Sequence, residues 1–197
     1  MKIRYNAPVV LNYTLISVLV LLINPLLGGS LITSWFVVPG QGFFDTGSVI
    51  SYVRLFSHIA GHISWEHLLG NFAIILLVGP ILEEKYGSFP LLIMILITGL
   101  VTGVLNTLLF EGFLLGASGV AFMMILLAPF TNTKSGEIPL TFILIIALYI
   151  VKEVFQSFQS NDIAEFAHIA GGACGSIFGF IKQKHRINEL KAIVDND

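Results

Sequence analysis

The sequence predicts an all-α polytopic membrane protein, and three observations carry that expectation. The 197-residue chain is 55% hydrophobic and only 11% charged, whereas soluble domains carry about 25% charged residues. Its mean hydropathy is +0.88. It also contains repeated apolar runs near the ~20 residues that a helix needs to cross a bilayer.

Six such runs are expected as transmembrane helices, at 9–27, 66–82, 90–110, 115–130, 138–158 and 165–182. The first is long, holds Asn12 and Asn24, and lacks a small-residue cleavage signature before the next apolar segment. It is therefore expected to stay as a helix rather than be removed as a signal peptide. The connection 28–65 is apolar but broken by Pro39 and several glycines, and it contains Trp35, Phe36, Phe43 and Phe44. Aromatic residues of this kind favour the membrane interface, so the connection is expected to be partly embedded without crossing. No soluble domain or low-complexity segment intervenes, and 1–197 reads as a single membrane domain.

Charge and cysteine content narrow the function classes. A net charge of −2 implies neither a nucleic-acid partner nor an acidic one. The single cysteine, Cys174, excludes an internal disulfide and a cysteine-based metal site.

Basic residues orient the chain, because cytoplasmic loops carry the excess of Lys and Arg. With the N-terminus in the cytoplasm, Lys2, Arg4, Lys85, Lys134, Lys182, Lys184, Arg186 and Lys191 fall inside. Only Arg54 and Lys152 fall outside. Six spans then return the C-terminus to the cytoplasm as well. The second, fourth and sixth helices all begin at the outer face.

Polar residues inside a bilayer are costly and mark function by default, and here they collect in that one outer layer. The outer end of the second helix and the residues just before it carry His58, His62, His67 and Asn71, the last two sharing a helix face at a spacing of four. The fourth begins with Gly116, Ala117, Ser118 and Gly119, and the sixth with Ala167 and His168, followed by Gly171, Gly175 and Gly179. Taken singly, each has an ordinary structural explanation. Gly-x-Ser-Gly and the glycine row let helices approach closely, and a lone His or Asn commonly bonds a neighbouring helix.

Together they supply the parts of an acyl-transfer site. A serine needs an adjacent base to become nucleophilic at neutral pH, which assigns Ser118 and His168. The tetrahedral intermediate needs donors aimed at its oxyanion. Candidates are Asn71, His67 and the backbone N–H of Ser118 at a helix start, where the dipole is positive. A zinc site built on His58 and His62 would want a His-Glu-x-x-His motif, which is absent from the sequence. Neither a metal nor another cofactor is implied.

At these residues the chain resembles the rhomboid family of intramembrane serine proteases. The likeness extends from about Arg54 to Gly179. It includes His67 and Asn71 as a His-x-x-x-Asn pair, Gly116 to Gly119 as Gly-x-Ser-Gly, and the Ala-His-x-x-Gly-x-x-x-Gly run from Ala167. His58 and His62 match histidines that precede the pair in relatives, and Glu83 with Gly87 and Ser88 resembles the inner end of helix two. The resemblance implies a Ser118–His168 dyad without a third acidic member, an acyl-enzyme, and water entering from the outer side. It also implies substrates that are single-span membrane proteins, cut near or within their outer membrane boundary, and residence in a bacterial cell membrane. Glu165, three residues from His168 toward water, reads as a helix-start acid.

Three positions depart from the family pattern. Val53 stands before Arg54 where relatives often have Trp, which is expected to loosen the first loop. Phe122 stands four residues after the serine where a tyrosine usually stacks on the base. Met123 and Leu126 occupy a region that usually carries a further small residue.

Other classes fit less well. A non-catalytic membrane chaperone of the same fold would be expected to have lost the serine or histidine. A transporter or channel would distribute polar groups through the membrane depth and usually show an internal repeat.

The run 115–130 would be roughly 24 Å long at 1.5 Å per residue, shorter than the ~30 Å hydrocarbon core. Helix four is thus expected to begin below the outer surface, in a wet pocket. The fifth segment, ending in Phe155 and Phe158, lacks a glycine row and is the candidate movable wall.

Overall fold

The first helix starts on a proline and is capped from far away. The computed structural model describes residues 5–132, 137–156 and 162–194, with side chains over 5–131, 137–148 and 166–183. Lys2, Arg4, Lys134 and Phe158 lie outside the described residues. So do the side chains of Lys152, Phe155, Glu165, Lys184, Arg186 and Lys191.

Helix α1 spans Pro8–Ile23 and continues as a 3-10 turn over Asn24–Leu27. Proline suits a first helical position because its missing N–H would have no intrahelical partner. The next two N–H groups are satisfied by the buried carboxylate of Glu83. Val9 donates to Oε1 at 2.9 Å, Val10 to Oε2 at 3.0 Å, and the Ser88 hydroxyl to Oε1 at 2.7 Å. A carboxylate at a helix N-terminus meets both the orphan donors and the positive end of the dipole.

The long connection holds two short helices, α2 (Ser30–Trp35) and α3 (Val49–Ser57), followed by a 3-10 turn at His58–Ala60. Arg54 on α3 donates from Nε to the Ser34 carbonyl at 2.9 Å, and Ser57 Oγ donates to the Trp35 carbonyl. These bonds satisfy carbonyls at the end of α2. Tyr13 Oη on α1 donates to the Ile59 carbonyl at 2.8 Å, which anchors this segment against the bundle even with Val53 beside Arg54.

Helix α4 (Trp65–Tyr86) is N-capped by Ser64, whose Oγ accepts the His67 N–H at 3.1 Å. It ends at Gly87, whose φ of 89° suits glycine, and α5 (Ser88–Leu109) follows at once. Helix α6 spans Ser118–Leu127, α7 spans Leu140–Gln156, and α8 spans Asp162–Val194.

Several boundaries differ from the sequence expectation. The fourth segment was expected from 115, but residues 115–117 form a turn because Gly116 sits at φ 115°. Its far end tightens into a 3-10 turn over Ala128–Asn132, which contains Pro129, a residue that cannot donate to the helical ladder. The last helix runs beyond both limits of 165–182. Hydropathy marks where a helix is apolar, whereas backbone hydrogen bonding continues through polar residues.

By length and apolarity, three helices among the described residues can cross a membrane: Pro8–Leu27, Trp65–Tyr86 and Ser88–Leu109. The core lies between them and α6, around Phe72, Leu68, Ile75, Leu91, Met123, Met124 and Leu127.

Residues 110–114 are tied down on both sides. Val38 and Leu114 exchange N–H···O bonds of 2.9 and 3.0 Å. The Asn106 amide donates to the Gly112 carbonyl at 3.1 Å, and Thr107 Oγ1 to the Pro39 carbonyl at 3.1 Å. Irregular backbone at membrane depth needs such partners.

Candidate functional site

The site forms where the start of α6 meets α4 on one side and α8 on the other. On α4, His67 and Asn71 stand one turn apart on the face directed at residue 116. A Cβ added to Gly116 would lie 2.6 Å from His67 Cε1 and 3.8 Å from Asn71 Nδ2. Glycine is thus required there twice, for its φ of 115° and for the space.

Two hydrogen bonds pin the turn that leads into Ser118. The Gly116 N–H donates to the His58 carbonyl at 2.9 Å, and the Ala117 N–H donates to His62 Nε2 at 3.2 Å. The same nitrogen of His62 lies 3.3 Å from Asn71 Nδ2. The Ala117 carbonyl accepts the first helical bond, from the Ala121 N–H at 2.9 Å. The N–H of Ser118 therefore lies ahead of the i→i−4 ladder, with the positive end of the α6 dipole.

On the other side, α8 touches α6 backbone to backbone. A Cβ on Gly171 would collide with the Gly119 carbonyl, one on Gly175 with the Met123 carbonyl, and one on Gly179 with the Phe130 ring. A Cβ on Gly119 would stand 3.2 Å from the Ala167 carbonyl. Ser118 and His168 are thus sequence neighbours of residues in direct backbone contact. The His168 ring stacks on Phe122, with centroids 4.2 Å apart and planes 24° apart. Phe122 lies one turn beyond Ser118 on α6, so Ser118 and the base candidate are on the same side of that helix. Ser118, Phe122 and His168 are all half-buried.

Burial pushes the His62 imidazole down to about 4; the adjacent His67 also lowers it, and the Ala60 backbone opposes them. Burial likewise brings His58 to about 4, against hydrogen bonding from the Arg54 and Leu55 backbone. His58 places Nδ1 3.1 Å from the Arg54 carbonyl and Nε2 3.3 Å from Thr102 Oγ1. The two histidines that share a spacing of four are therefore turned to different partners. Among the described residues, no group of three or more His, Cys, Asp or Glu could hold a metal ion.

Of the four expected site residues, Asn71 and His67 on α4 face the Gly116 turn that leads into Ser118, and His168 on α8 stacks on Phe122 one turn past that serine. Sequence reasoning gave no such role to His62. Its signals were membership of the histidine cluster before α4 and a match to a histidine of family relatives, neither of which names a partner, and its contact with Ala117 crosses 55 residues of chain.

These features define a class: a polytopic helical membrane protein with a half-buried serine at a helix start, a histidine packed alongside, and amide donors opposite. The profile of the rhomboid domain matches residues 50–185. The chain is 26% identical to rhomboid protease GlpG of Haemophilus influenzae over 70% of this chain and 73% of that protein. It is 27% identical to rhomboid protease GlpG of Klebsiella pneumoniae subsp. pneumoniae over 93% of this chain and 66% of that one. To RHOMBOID-like protein 1 of Arabidopsis thaliana it is 28% identical, over 80% of this chain and 41% of that protein. The chain thus spans about two thirds of the Klebsiella relative and under half of the Arabidopsis one. It belongs to the rhomboid family and is an integral membrane protein.

Proposed function

We propose that the chain is an intramembrane serine endopeptidase that cleaves single-span membrane proteins near or within their outer membrane boundary. Family membership supports proteolysis in the bilayer. The observation that carries the assignment of residues is the backbone contact of Gly119 with Gly171, with His168 stacked on Phe122 one turn past Ser118.

In this reading Ser118 Oγ attacks the scissile carbonyl while His168 takes its proton, and the imidazolium then returns the proton to the leaving amine. The Ser118 N–H and Asn71 Nδ2, with His67 beside them, receive the negative charge of the tetrahedral intermediate. Water from the outer side then resolves the acyl-enzyme. Phe122 holds the imidazole plane by stacking, for which its ring suffices without a hydroxyl. The stack also limits the orientations open to His168, as productive proton transfer requires.

The accompanying topology is a single domain of six spans with both termini in the cytoplasm. Helices α6, α7 and α8 supply the last three spans, and the apolar bilayer is the partner of their outward faces. The exposed side chains of Leu140, Ile143, Leu144 and Leu148 on α7 and Ile169, Ile177 and Ile181 on α8 support that reading.

Fluorophosphonate labelling of purified protein, paired with cleavage of a membrane-embedded substrate, tests the dyad. Wild type should label and cleave. Ser118→Ala should do neither, and His168→Ala should lose cleavage, with both variants keeping the wild-type melting temperature. Normal cleavage by Ser118→Ala would reject the mechanism.

A further inference from the structure

His62 is fully buried and half a turn of chain ahead of α4, and the dyad chemistry makes no use of it. Its Nε2 nevertheless lies 3.2 Å from the Ala117 nitrogen and 3.3 Å from Asn71 Nδ2. A backbone N–H has no acceptor character, so Nε2 must offer a lone pair and the ring proton must sit on Nδ1. With that tautomer set, the Asn71 group nearest Nε2 is its amide nitrogen, since two acceptors would repel there. One imidazole lone pair therefore faces two donors, the N–H of the residue before Ser118 and the amide of Asn71.

We propose that His62 is a positioning residue that sets the oxyanion donors of this site. That role rests on the proteolytic reading and extends it. Gly116 and Ala117 each spend their N–H on the segment before α4, through the His58 carbonyl and His62 Nε2. The Ser118 N–H is then the first one in the turn left to face the cleft. Release of Ala117 would let the turn rotate and would carry Ser118 with it, because Ala117 is the residue on which α6 begins. On the α4 side, the bond to Nε2 occupies one hydrogen of the Asn71 amide and leaves the other to the reacting oxygen.

Burial keeps the ring neutral, and only the neutral ring can accept. Among the described residues, the titratable group facing it is His67 on α4, with ring centroids 5.0 Å apart, while Phe72 of the same helix packs at 5.6 Å. The Ala117 turn contributes only its backbone.

Two replacements separate the acceptor from the bulk. In His62→Gln the Oε1 reaches about as far as Nε2 and can accept. In His62→Phe the ring remains and the acceptor is gone. Each is measured in detergent for kcat and KM on a membrane substrate, for thermal midpoint, and for hydrogen exchange at the Ala117 amide. The Phe variant should lose kcat by up to ~10²-fold, the scale of a 1 Å misplacement. Its KM should barely move, and Ala117 should exchange fast. The Gln variant should recover most of the kcat and the slow exchange. Should the Phe variant fail to fold, His62→Met takes its place.

Equal loss in the Gln and Phe variants, or unchanged Ala117 exchange in the Phe variant, overturns the proposal. Exchange at Ala117 does not depend on proteolysis. Failure of the Ser118→Ala test would reject the protease mechanism and leave this contact standing, whereas unchanged exchange would reject His62 and leave the mechanism standing.

Discussion

Helix α6 has two very different neighbours in α8 and α7. Against α8 it is in backbone contact through Gly119 and Met123, each facing a glycine of α8 with no room for a Cβ. Against α7, among the described side chains, contact is made by a satellite cluster: Phe142 lies edge-on to Phe130 and Phe180, with Ile125, Ile145 and Ile146 around it. The glycine seam fixes a distance, because backbone atoms have no rotamers to yield. The aromatic contact fixes only an area, and rings can repack. The difference teaches where precision is needed. In the proposed mechanism, proton transfer between Ser118 and His168 tolerates little displacement, and both are sequence neighbours of residues on the seam. Admission of a substrate helix, in the proposed function, requires a contact that can open, and the α7 contact is of the type that can repack.

Substitutions can break or sharpen this contrast. The largest effect is expected on the third side of α6, where Asn71 faces the Gly116 turn. Asn71→Ala should lower turnover by about 10²–10³-fold, as removal of one oxyanion donor does, while fluorophosphonate labelling of Ser118 remains detectable. Full activity would return Asn71 to a packing role.

Gly171→Ala tests the seam directly. The methyl would meet the Gly119 carbonyl, so α8 must retreat and carry His168 from Ser118, which should cost about 10²-fold in kcat. A crystal structure or crosslinking distance should show the α6–α8 separation widened.

Phe142→Ala tests the other contact. It should raise cleavage of a membrane-embedded substrate a few-fold while leaving hydrolysis of a soluble peptide unchanged, since the dyad is untouched. A parallel fall in both would show that α7 also supports the seam. The smallest effect belongs to Gly172→Ala. The new Cβ would stand 3.1 Å from Leu126 Cδ1, the end of a side chain that can turn. Turnover should stay within about twofold of wild type, as for substitutions away from a strained feature.

A pH titration of stability sharpens the picture of the α4 side. His58 and His62 are both lowered from 6.5 to about 4 in the folded protein. Above pH 6.5 both are neutral whether folded or unfolded, and nothing is lost. As pH falls from 6.5 toward 4 the unfolded chain gains protons that the folded one does not, so stability declines through that window. His62→Gln should shallow the decline as followed by thermal midpoint.

Much of the architecture was legible in the residues. Low charge and long apolar runs identified the bilayer as solvent. The polar clusters at three segment starts nominated His67, Asn71, Ser118 and His168, which stand on α4, α6 and α8, the helices packed around the Gly116 turn and the Gly119–Gly171 contact. The glycine row from Gly171 announced a close approach, though not that its partner would be the backbone of α6. The apolar run at 115–130 located the serine near a helix start, yet left the start three residues early. Hydropathy cannot register a glycine at φ 115°, which is a property of the backbone and not of transfer energy.

What the sequence determined by itself is therefore what depends on near neighbours and composition: the solvent, the helical segments and the kinds of group available for chemistry. Tertiary structure decided what depends on residues far apart in the chain. Glu83 came to accept the first-turn N–H groups of α1 from 74 residues away, Val38 found Leu114, and His62 met Ala117 across 55. The physical reason lies in the hydrogen bond itself. Buried donors must find acceptors, but a bond falls off within a fraction of an ångström, so only the packed bundle selects which acceptor each donor meets.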